Sequence, residues 1–188
     1  MNVNIALLTV TDTRTFDNDK SGAILVDKIK EASHNLIDRK ICKDNKEDIV
    51  VILKEWINQK NIDVIITTGG TGLTGRDITP EAVEEVADKQ IPGFGEIFRN
   101  ISLKTVGTSA IQSRACAVLA NGKYIFALPG SSGGVTDACA MCRHVFTGHR
   151  ETAERELFFE FAVSFGSRLA PGSPLGARRH AHATGTSR

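Results

Sequence analysis

The sequence lacks the features that mark several specialised classes of protein. Its 188 residues include one Trp, one Tyr and four Cys, and the formal net charge is +1. A charge so close to zero gives no support to a general nucleic-acid or membrane surface, and four irregularly spaced cysteines are too few for a disulfide scaffold. There is no apolar run long enough to cross a bilayer and no basic leader before the first predicted strand. We therefore expect a cytoplasmic protein without nucleic-acid or membrane partners.

What the sequence does contain is a glycine-rich segment directly after a short apolar run. The β-branched residues at 62–66 predict a buried strand, and glycines follow at positions 69, 70, 72 and 75. Glycine lets the backbone adopt positive φ and turn successive N–H groups toward phosphate oxygens. The spacing matches neither a Walker loop nor the dinucleotide fingerprint, so a simple connecting turn remains an alternative. The segment closes on Asp77, and a carboxylate beside a phosphate-binding loop suggests magnesium or base chemistry in phosphoryl or nucleotidyl transfer.

Apolar patterning predicts strands that alternate with helices. Strands are predicted over residues 3–10, 62–66 and 123–128. Helices are predicted over 22–33, from Asp44 or Lys46 to 57, from Thr79 as N-cap, and over 94–103. Trp56 lies on the apolar stripe of its helix, which favours a core position. The alternation predicts an α/β fold with three layers, α/β/α, around a mainly parallel sheet.

The residues from Thr67 to Ala82 resemble the signature of the molybdopterin-binding domains of molybdenum cofactor biosynthesis, which include the molybdopterin adenylyltransferases. Four shorter motifs stand in the order that the family shows: Asp19-Lys-Ser-Gly22, Lys43-Asp44-Asn45, Ser113-Arg114 and Leu128-Pro-Gly-Ser131. Residues 91–99 resemble the branch of the family called molybdenum cofactor biosynthesis protein B (MoaB). The resemblance covers residues 3 to about 138.

The resemblance implies Mg²⁺-dependent adenylyl transfer from ATP to molybdopterin. Asp44 and Asp77 match acidic positions of the family, which implies catalytic and metal-binding roles for both. Binding of pterin, nucleotide or phosphate is implied for Thr11, Asp12, Ser21, Gly22, Gly69, Gly70, Thr71, Gly72, Ser113, Arg114, Pro129, Gly130 and Ser131. The resemblance also implies a homo-oligomer, a trimer or a hexamer, with other proteins of cofactor biosynthesis as partners.

Each assignment has an alternative that the residues alone leave open. Asp44 suits the N-cap of the helix that follows it, and Asp77 could cap the next helix or pair with Arg76. Arg114 could bind an anion or form a structural ion pair. At the level of function, the alternatives are a molybdopterin-binding protein without catalytic activity and a nucleotide pyrophosphatase of the competence-damage type.

The predicted domain spans residues 1–138, and residues 139–188 form an atypical C-terminal segment. Residues 1–130 contain 17 Ile, 11 Lys and 9 Asn, whereas residues 131–188 contain none of the three. We interpret this shift as replacement of the native ending by unrelated coding sequence, which resequencing the gene with its flanks would test. The segment predicts one amphipathic helix over 151–165 and disorder from 167 onward. The spacing of Cys139, Cys142, His144 and His149 matches no established zinc finger.

Overall fold

A computed structural model describes residues 2–141 of the chain, with side chains described as far as residue 138. The predicted helix at 151–165, the predicted disordered tail and the Cys/His group from Cys139 onward lie outside these described side chains. The predicted boundary at residue 138 remains a prediction.

The described chain alternates between strands and helices from its first residues. The strands are β1 (Asn4–Val10), β2 (Asn35–Cys42), β3 (Val64–Thr68), β4 (Lys89–Gln90), β5 (Cys116–Ala120) and β6 (Lys123–Leu128). The helices are α1 (Lys20–Glu31), α2 (Lys46–Ile57), α3 (Thr79–Glu85), α4 (Pro92–Val106) and α5 (Ser132–Met141), with a 3-10 helix at Gly107–Gln112.

The six strands form one sheet in the order β2-β1-β3-β6-β5-β4. The pairs β1/β2, β1/β3 and β3/β6 are parallel, and β5 runs antiparallel to both of its neighbours. Strands β5 and β6 join through Asn121 and Gly122, which both have positive φ, as a tight hairpin turn requires. The predicted α/β fold with a mainly parallel sheet is confirmed.

Two apolar cores cover the two faces of the sheet, because neighbouring residues of a strand point to opposite sides. Ile66 faces a core shared with α1, α4 and α5, whereas Ile65 faces a core shared with α2 and α3. Trp56 is fully buried in the second core, and its Nε1 donates to Asp38 Oδ2 at 2.9 Å. The predicted core position of Trp56 is confirmed, and the helices on both faces make the three layers.

Two local features differ from the sequence predictions. Strand β2 was not predicted, because it is an edge strand with Asp38, Arg39 and Lys40 at its centre and has no apolar run. Thr79 is not an N-cap: Ile78 holds that position without a side-chain hydrogen bond, and Thr79 is already helical. Its hydroxyl is buried beside Gly70 instead of capping the helix. None of the described helices combines the length and the apolar character needed to cross a membrane.

Candidate functional site

A cleft of about 540 Å³ lies where the carboxyl ends of the parallel strands meet the α4 side of the molecule. Ligands of open α/β sheets bind at this edge, because the loops that leave neighbouring parallel strands converge there. Loops after β1, β2, β3 and β6 contribute Thr11, Asp12, Thr13, Arg14, Asp44, Gly69, Gly70, Thr71, Gly72, Thr74, Arg76, Asp77, Pro129, Gly130 and Ser131. The opposite wall contains Phe98, Ser102, Val106, Ser109, Ala110, Gln112, Ser113, Gly134 and Asp137.

The backbone of the glycine-rich loop passes close to the backbone at the end of β1, and this approach determines the conformation of the loop. Gly69 has φ of +107°, and a Cβ there would lie 2.1 Å from the carbonyl oxygen of Val10. Gly70 has φ of +64°, and a Cβ there would meet the Thr79 hydroxyl and the Asp44 carboxylate. Any larger residue would push the loop away from the end of β1 and from Asp44. These two glycines therefore bring the loop against the acidic side of the cleft.

Asp44 faces the cleft because another residue caps the helix behind it. The N-cap of α2 is Asn45, whose side chain accepts from the Asp48 N–H. The Asp44 Oδ1 atom accepts instead from the Ile78 N–H, at 3.4 Å. Burial raises the pKa of Asp44, and the negative charges of Asp77 and Asp12 raise it further. The N-cap alternative for Asp44 is thus wrong, and its charge is only weakly compensated by the protein.

Asp77 closes the glycine-rich loop and is held by that loop. Its Oδ2 atom accepts from the Thr74 N–H at 2.9 Å and from the Thr74 hydroxyl at 2.5 Å. Burial alone would raise the pKa of Asp77, but these bonds, a bond from the Gly72 N–H and the charge of Arg114 lower it on balance. Asp77 does not cap α3, which has no side-chain cap. These bonds fix the Asp77 carboxylate in position at the cleft and favour its ionised form.

The structure brings ten of the thirteen predicted binding residues to the surface of the cleft. They are Thr11, Asp12, Gly69, Gly70, Thr71, Gly72, Ser113, Pro129, Gly130 and Ser131. Ser21 and Gly22 do not line it, because the first turn of α1 folds around Asp19. Arg114 also lies behind the cleft, where it forms a structural ion pair with Glu81.

The buried Asp19 carboxylate organises the segment that contains Ser21 and Gly22. It accepts from the Thr9 hydroxyl at 2.6 Å, the Gly22 N–H at 2.9 Å, the Ser21 hydroxyl at 3.0 Å and Arg39 Nη2 at 3.0 Å. Burial opposes ionisation, yet the pKa of Asp19 is lowered, because these hydrogen bonds outweigh it. The Asp19-Lys-Ser-Gly22 motif is therefore a structural cluster next to the cleft.

Arg14 is a cleft residue that no motif indicated. Its Nη1 atom donates to the Ser21 hydroxyl at 2.9 Å and to the Gly130 carbonyl at 3.1 Å. This guanidinium joins the first turn of α1 to the loop after β6 and places a cation in the cleft. Its position in the polar run after β1, beside Thr11 and Asp12, was the signal that could have indicated it.

The helical wall of the cleft was also absent from the sequence predictions. Phe98 and Ala110 give it apolar surface, and Ser102 and Ser109 add hydroxyls. Asp137 lies in this wall but accepts from the Ser102 hydroxyl at 2.9 Å and the Thr105 hydroxyl at 2.7 Å. Its carboxylate therefore ties α5 to α4. Apart from Phe98, which lies in the segment 91–99, these residues belong to no motif, and the packing of the helices brings them together.

The donor set fits a divalent cation that is shared between protein and substrate. Among residues 2–138, no group of three or more His, Cys, Asp or Glu side chains is placed to hold a metal. Asp44 and Asp77 offer two carboxylates that repel each other, a repulsion that a cation would relieve. Mg²⁺ commonly binds through one or two carboxylates and completes its shell with water and phosphate oxygens. The pair suits that mode of binding and does not suit an all-protein cage.

Fold and site together define an α/β class of protein with a glycine-lined, acidic cleft at the carboxyl edge of a mainly parallel sheet. Comparison with known families makes the assignment specific: the chain belongs to the family described as "Probable molybdopterin binding domain", whose model matches residues 6–145.

Individual relatives agree with this family. The chain is 46% identical over 134 residues to the molybdenum cofactor biosynthesis protein B of Bacillus cereus, covering 71% of this chain and 79% of that protein. It resembles a crystal structure of a molybdenum cofactor biosynthesis protein B with a TM-score of 0.73 and 42% identity, covering 76% of this chain and 91% of the other. The tungsten cofactor synthesizing protein MoaB from Pyrococcus furiosus gives a TM-score of 0.66 at 33% identity, covering 73% and 88%. The resemblance predicted from the sequence is confirmed.

Proposed function

We propose that the protein acts in molybdenum cofactor biosynthesis as a molybdopterin adenylyltransferase. Family membership supports the pathway, and several relatives carry the name molybdenum cofactor biosynthesis protein B. The observation that carries the enzymatic assignment is the pair Asp44 and Asp77, which face one cleft on either side of a glycine-rich loop.

In the proposed reaction, an oxygen of the terminal phosphate of molybdopterin attacks the α-phosphorus of ATP. A new P–O bond forms, the bond from the α-phosphorus to the bridging oxygen breaks, and pyrophosphate leaves with the electron pair. Such a transfer depends on positioning and on neutralising the phosphate charge. Mg²⁺ held by Asp44 and Asp77 would neutralise phosphate oxygens and orient them.

The residues of the chain divide this work between the two walls of the cleft. The Gly69 and Gly72 N–H groups already donate to the Leu128 carbonyl and the Asp77 carboxylate, so the Gly70 and Thr71 N–H groups of this segment bind phosphate oxygens, and the cations of Arg14 and Arg76 offset their charge. Ser131 and the backbone at Pro129 and Gly130 hold the pterin or its phosphate from the neighbouring loop. The helical wall around Phe98 and Ser102 offers the apolar and hydroxyl surface that suits an uncharged ring system.

The test is product formation by the purified protein. Incubation with molybdopterin, ATP and Mg²⁺ should give adenylylated molybdopterin and an equal amount of pyrophosphate, measured by chromatography with mass detection. The same mixture with EDTA in excess of Mg²⁺ is the control and should give no product. Binding of molybdopterin without product would reject the enzyme and leave a non-catalytic binding protein for cofactor assembly or delivery.

We also propose that the protein assembles as a trimer or a hexamer and that it meets other proteins of cofactor biosynthesis. Sedimentation equilibrium of the full chain tests the assembly, and a monomer at micromolar concentration would reject it.

A further inference from the structure

Arg114 holds the back of the glycine-rich loop through three separate carbonyl groups. Its backbone N–H donates to the Thr71 carbonyl at 3.1 Å, its Nε to the Gly72 carbonyl at 2.7 Å and its Nη2 to the Asp77 carbonyl at 2.6 Å. Its Nη1 pairs with Glu81 on α3. Arg114 therefore fastens both ends of the loop to the segment before β5 and to α3.

Two of these carbonyls belong to peptide groups whose N–H groups hold the acidic pair. In a planar trans peptide the C=O and N–H point in opposite directions, so a donor behind the carbonyl directs the N–H forward. The Thr71 carbonyl shares a peptide with the Gly72 N–H, which bonds the Asp77 carboxylate. The Asp77 carbonyl shares a peptide with the Ile78 N–H, which donates to Asp44 Oδ1 at 3.4 Å.

We propose that Arg114 is a positioning residue that fixes the carboxylates of Asp44 and Asp77 for a metal-bound phosphate without touching substrate. This inference rests on the proposed function, since that function takes the two carboxylates as the metal-binding pair. The backbone N–H of Arg114 directs the Thr71–Gly72 peptide, and its guanidinium directs the Asp77–Ile78 peptide, so one residue bonds behind both acids.

The geometry calls for arginine and not merely for a cation. Three nitrogens of one planar guanidinium reach Gly72, Asp77 and Glu81, which no point charge can contact at once. A lysine would keep the positive charge near Asp77 and the backbone bond to Thr71, but its donors all lie on one nitrogen and cannot reproduce the contacts that three separate nitrogens make. Arg114→Lys therefore removes the set of guanidinium hydrogen bonds while it keeps the positive charge.

The experiment compares the full-length wild type, Arg114→Lys and the matched control Arg99→Lys. Both arginines line the same groove behind the cleft, but among the residues that the structure describes Arg99 makes only one weak bond, to the Ser113 carbonyl at 3.4 Å. For each protein we would measure kcat and KM for both substrates, the affinity for Mn²⁺ alone by electron paramagnetic resonance, and the melting temperature. We expect Arg114→Lys to lower kcat by about 10- to 100-fold and Mn²⁺ affinity by about 10-fold, as for residues that orient metal ligands. Both KM values should change by less than about threefold, and Arg99→Lys should match the wild type.

The outcomes separate a positioning residue from a substrate ligand. A raised KM for molybdopterin with kcat intact would make Arg114 a substrate ligand and overturn the proposal. Unchanged Mn²⁺ affinity in Arg114→Lys would overturn it as well, as would a wild type that binds no Mn²⁺. If the wild type forms no adenylylated product, the proposed function fails, but the Mn²⁺ comparison still decides the role of Arg114.

Discussion

Two groups of carboxylates lie near the same edge of the sheet, and their surroundings are opposite. Asp19 is 2% exposed and accepts from four neighbours that include Arg39. Asp44 and Asp77 face the open cleft, where burial and mutual repulsion raise the pKa of Asp44. The carboxylate of Asp19 is enclosed by protein donors, whereas those of Asp44 and Asp77 face the cleft.

This difference separates structural from functional acids where motifs do not. Asp19, Asp44 and Asp77 all belong to motifs that the family shares, so a motif match alone ranks them equally. Asp19 is buried among its donors, whereas Asp44 and Asp77 line the cleft, where a cation can reach both carboxylates. The pKa values alone do not make this distinction, because hydrogen bonds lower the pKa of Asp77 as they lower that of Asp19. Substitutions in the two groups should accordingly change different measured quantities.

The largest expected effect is a loss of turnover in Asp77→Asn. Asn can still accept from Thr74, so the loop should keep its shape, but the charge that faces the cleft is lost. We expect kcat to fall on the order of 10³-fold, the scale seen when one preorganised electrostatic group is removed. Molybdopterin affinity and the melting temperature should stay close to those of the wild type. A variant that keeps turnover would show that Asp77 is not catalytic.

Asp19→Ala should instead reduce the free energy of unfolding, by about 3 kcal/mol, because it leaves Arg39 and two hydroxyls without their buried acceptor. Urea denaturation measures this change. Asp17→Ala, at an exposed position of the same segment, is the control and should fall within about 0.5 kcal/mol of the wild type. An Asp19→Ala protein as stable as the wild type but inactive would move Asp19 into the functional group.

Alanine substitutions at two glycines test the same difference between the structural acid Asp19 and the functional acid Asp77, with smaller expected effects. A Cβ at Gly72 would lie 2.8 Å from Asp77 Oδ2, and one at Gly22 would lie 2.1 Å from Asp19 Oδ2. We expect Gly72→Ala to lower kcat about 10-fold by displacing Asp77, and Gly22→Ala to cost about 1–2 kcal/mol of stability through overpacking. Gly75→Ala is the control, since a Cβ there meets nothing within 4 Å. Equal losses of activity in Gly72→Ala and Gly22→Ala would contradict the distinction.

The sequence was a good guide wherever the signal is local. The apolar runs of β1, β3 and β6 and the loop from Gly69 to Asp77 could be predicted, because each lies within one short segment. Strand β2 could not, because its polar centre is tolerated only at an edge of the sheet.

Long-range contacts account for what was missed in the site. Arg14 reaches the Gly130 carbonyl across 116 residues of chain, and nothing in either segment predicts the other. The positions of Ser21, Gly22 and Arg114 behind the cleft likewise depend on contacts with Asp19, Arg14 and the loop carbonyls. The sequence motifs therefore located the edge of the sheet where the cleft lies, but they did not distinguish the residues that line the cleft from those beside or behind it.

The smallest expected effect is a gain of stability in Asp44→Asn, with a defined dependence on pH. The pKa of Asp44 is raised above its ordinary value of 3.8 by burial and by repulsion from Asp77 and Asp12. Between the ordinary and the raised value the folded protein binds more protons than the unfolded chain, so this group lowers the free energy of unfolding as pH rises. Asn removes the repulsion and can still accept from the Ile78 N–H, so the variant should be more stable at pH 7, by less than about 1 kcal/mol.

That gain should vanish on acidification, because both proteins are uncharged at residue 44 below the ordinary pKa. The contribution of Asp19 to the free energy of unfolding depends on pH in the opposite direction. Because its pKa is lowered, the ionised Asp19 stabilises the fold above pH 3.8, and this contribution is lost as pH falls through the lowered pKa. Urea denaturation of the wild type and Asp44→Asn at pH 7 and at about pH 3, below the ordinary value of 3.8, tests this difference. A variant less stable than the wild type at pH 7 would mean that the protein compensates the charge of Asp44 as it compensates that of Asp19. Asp44 would then resemble Asp19, and its raised pKa would no longer support a functional role for it.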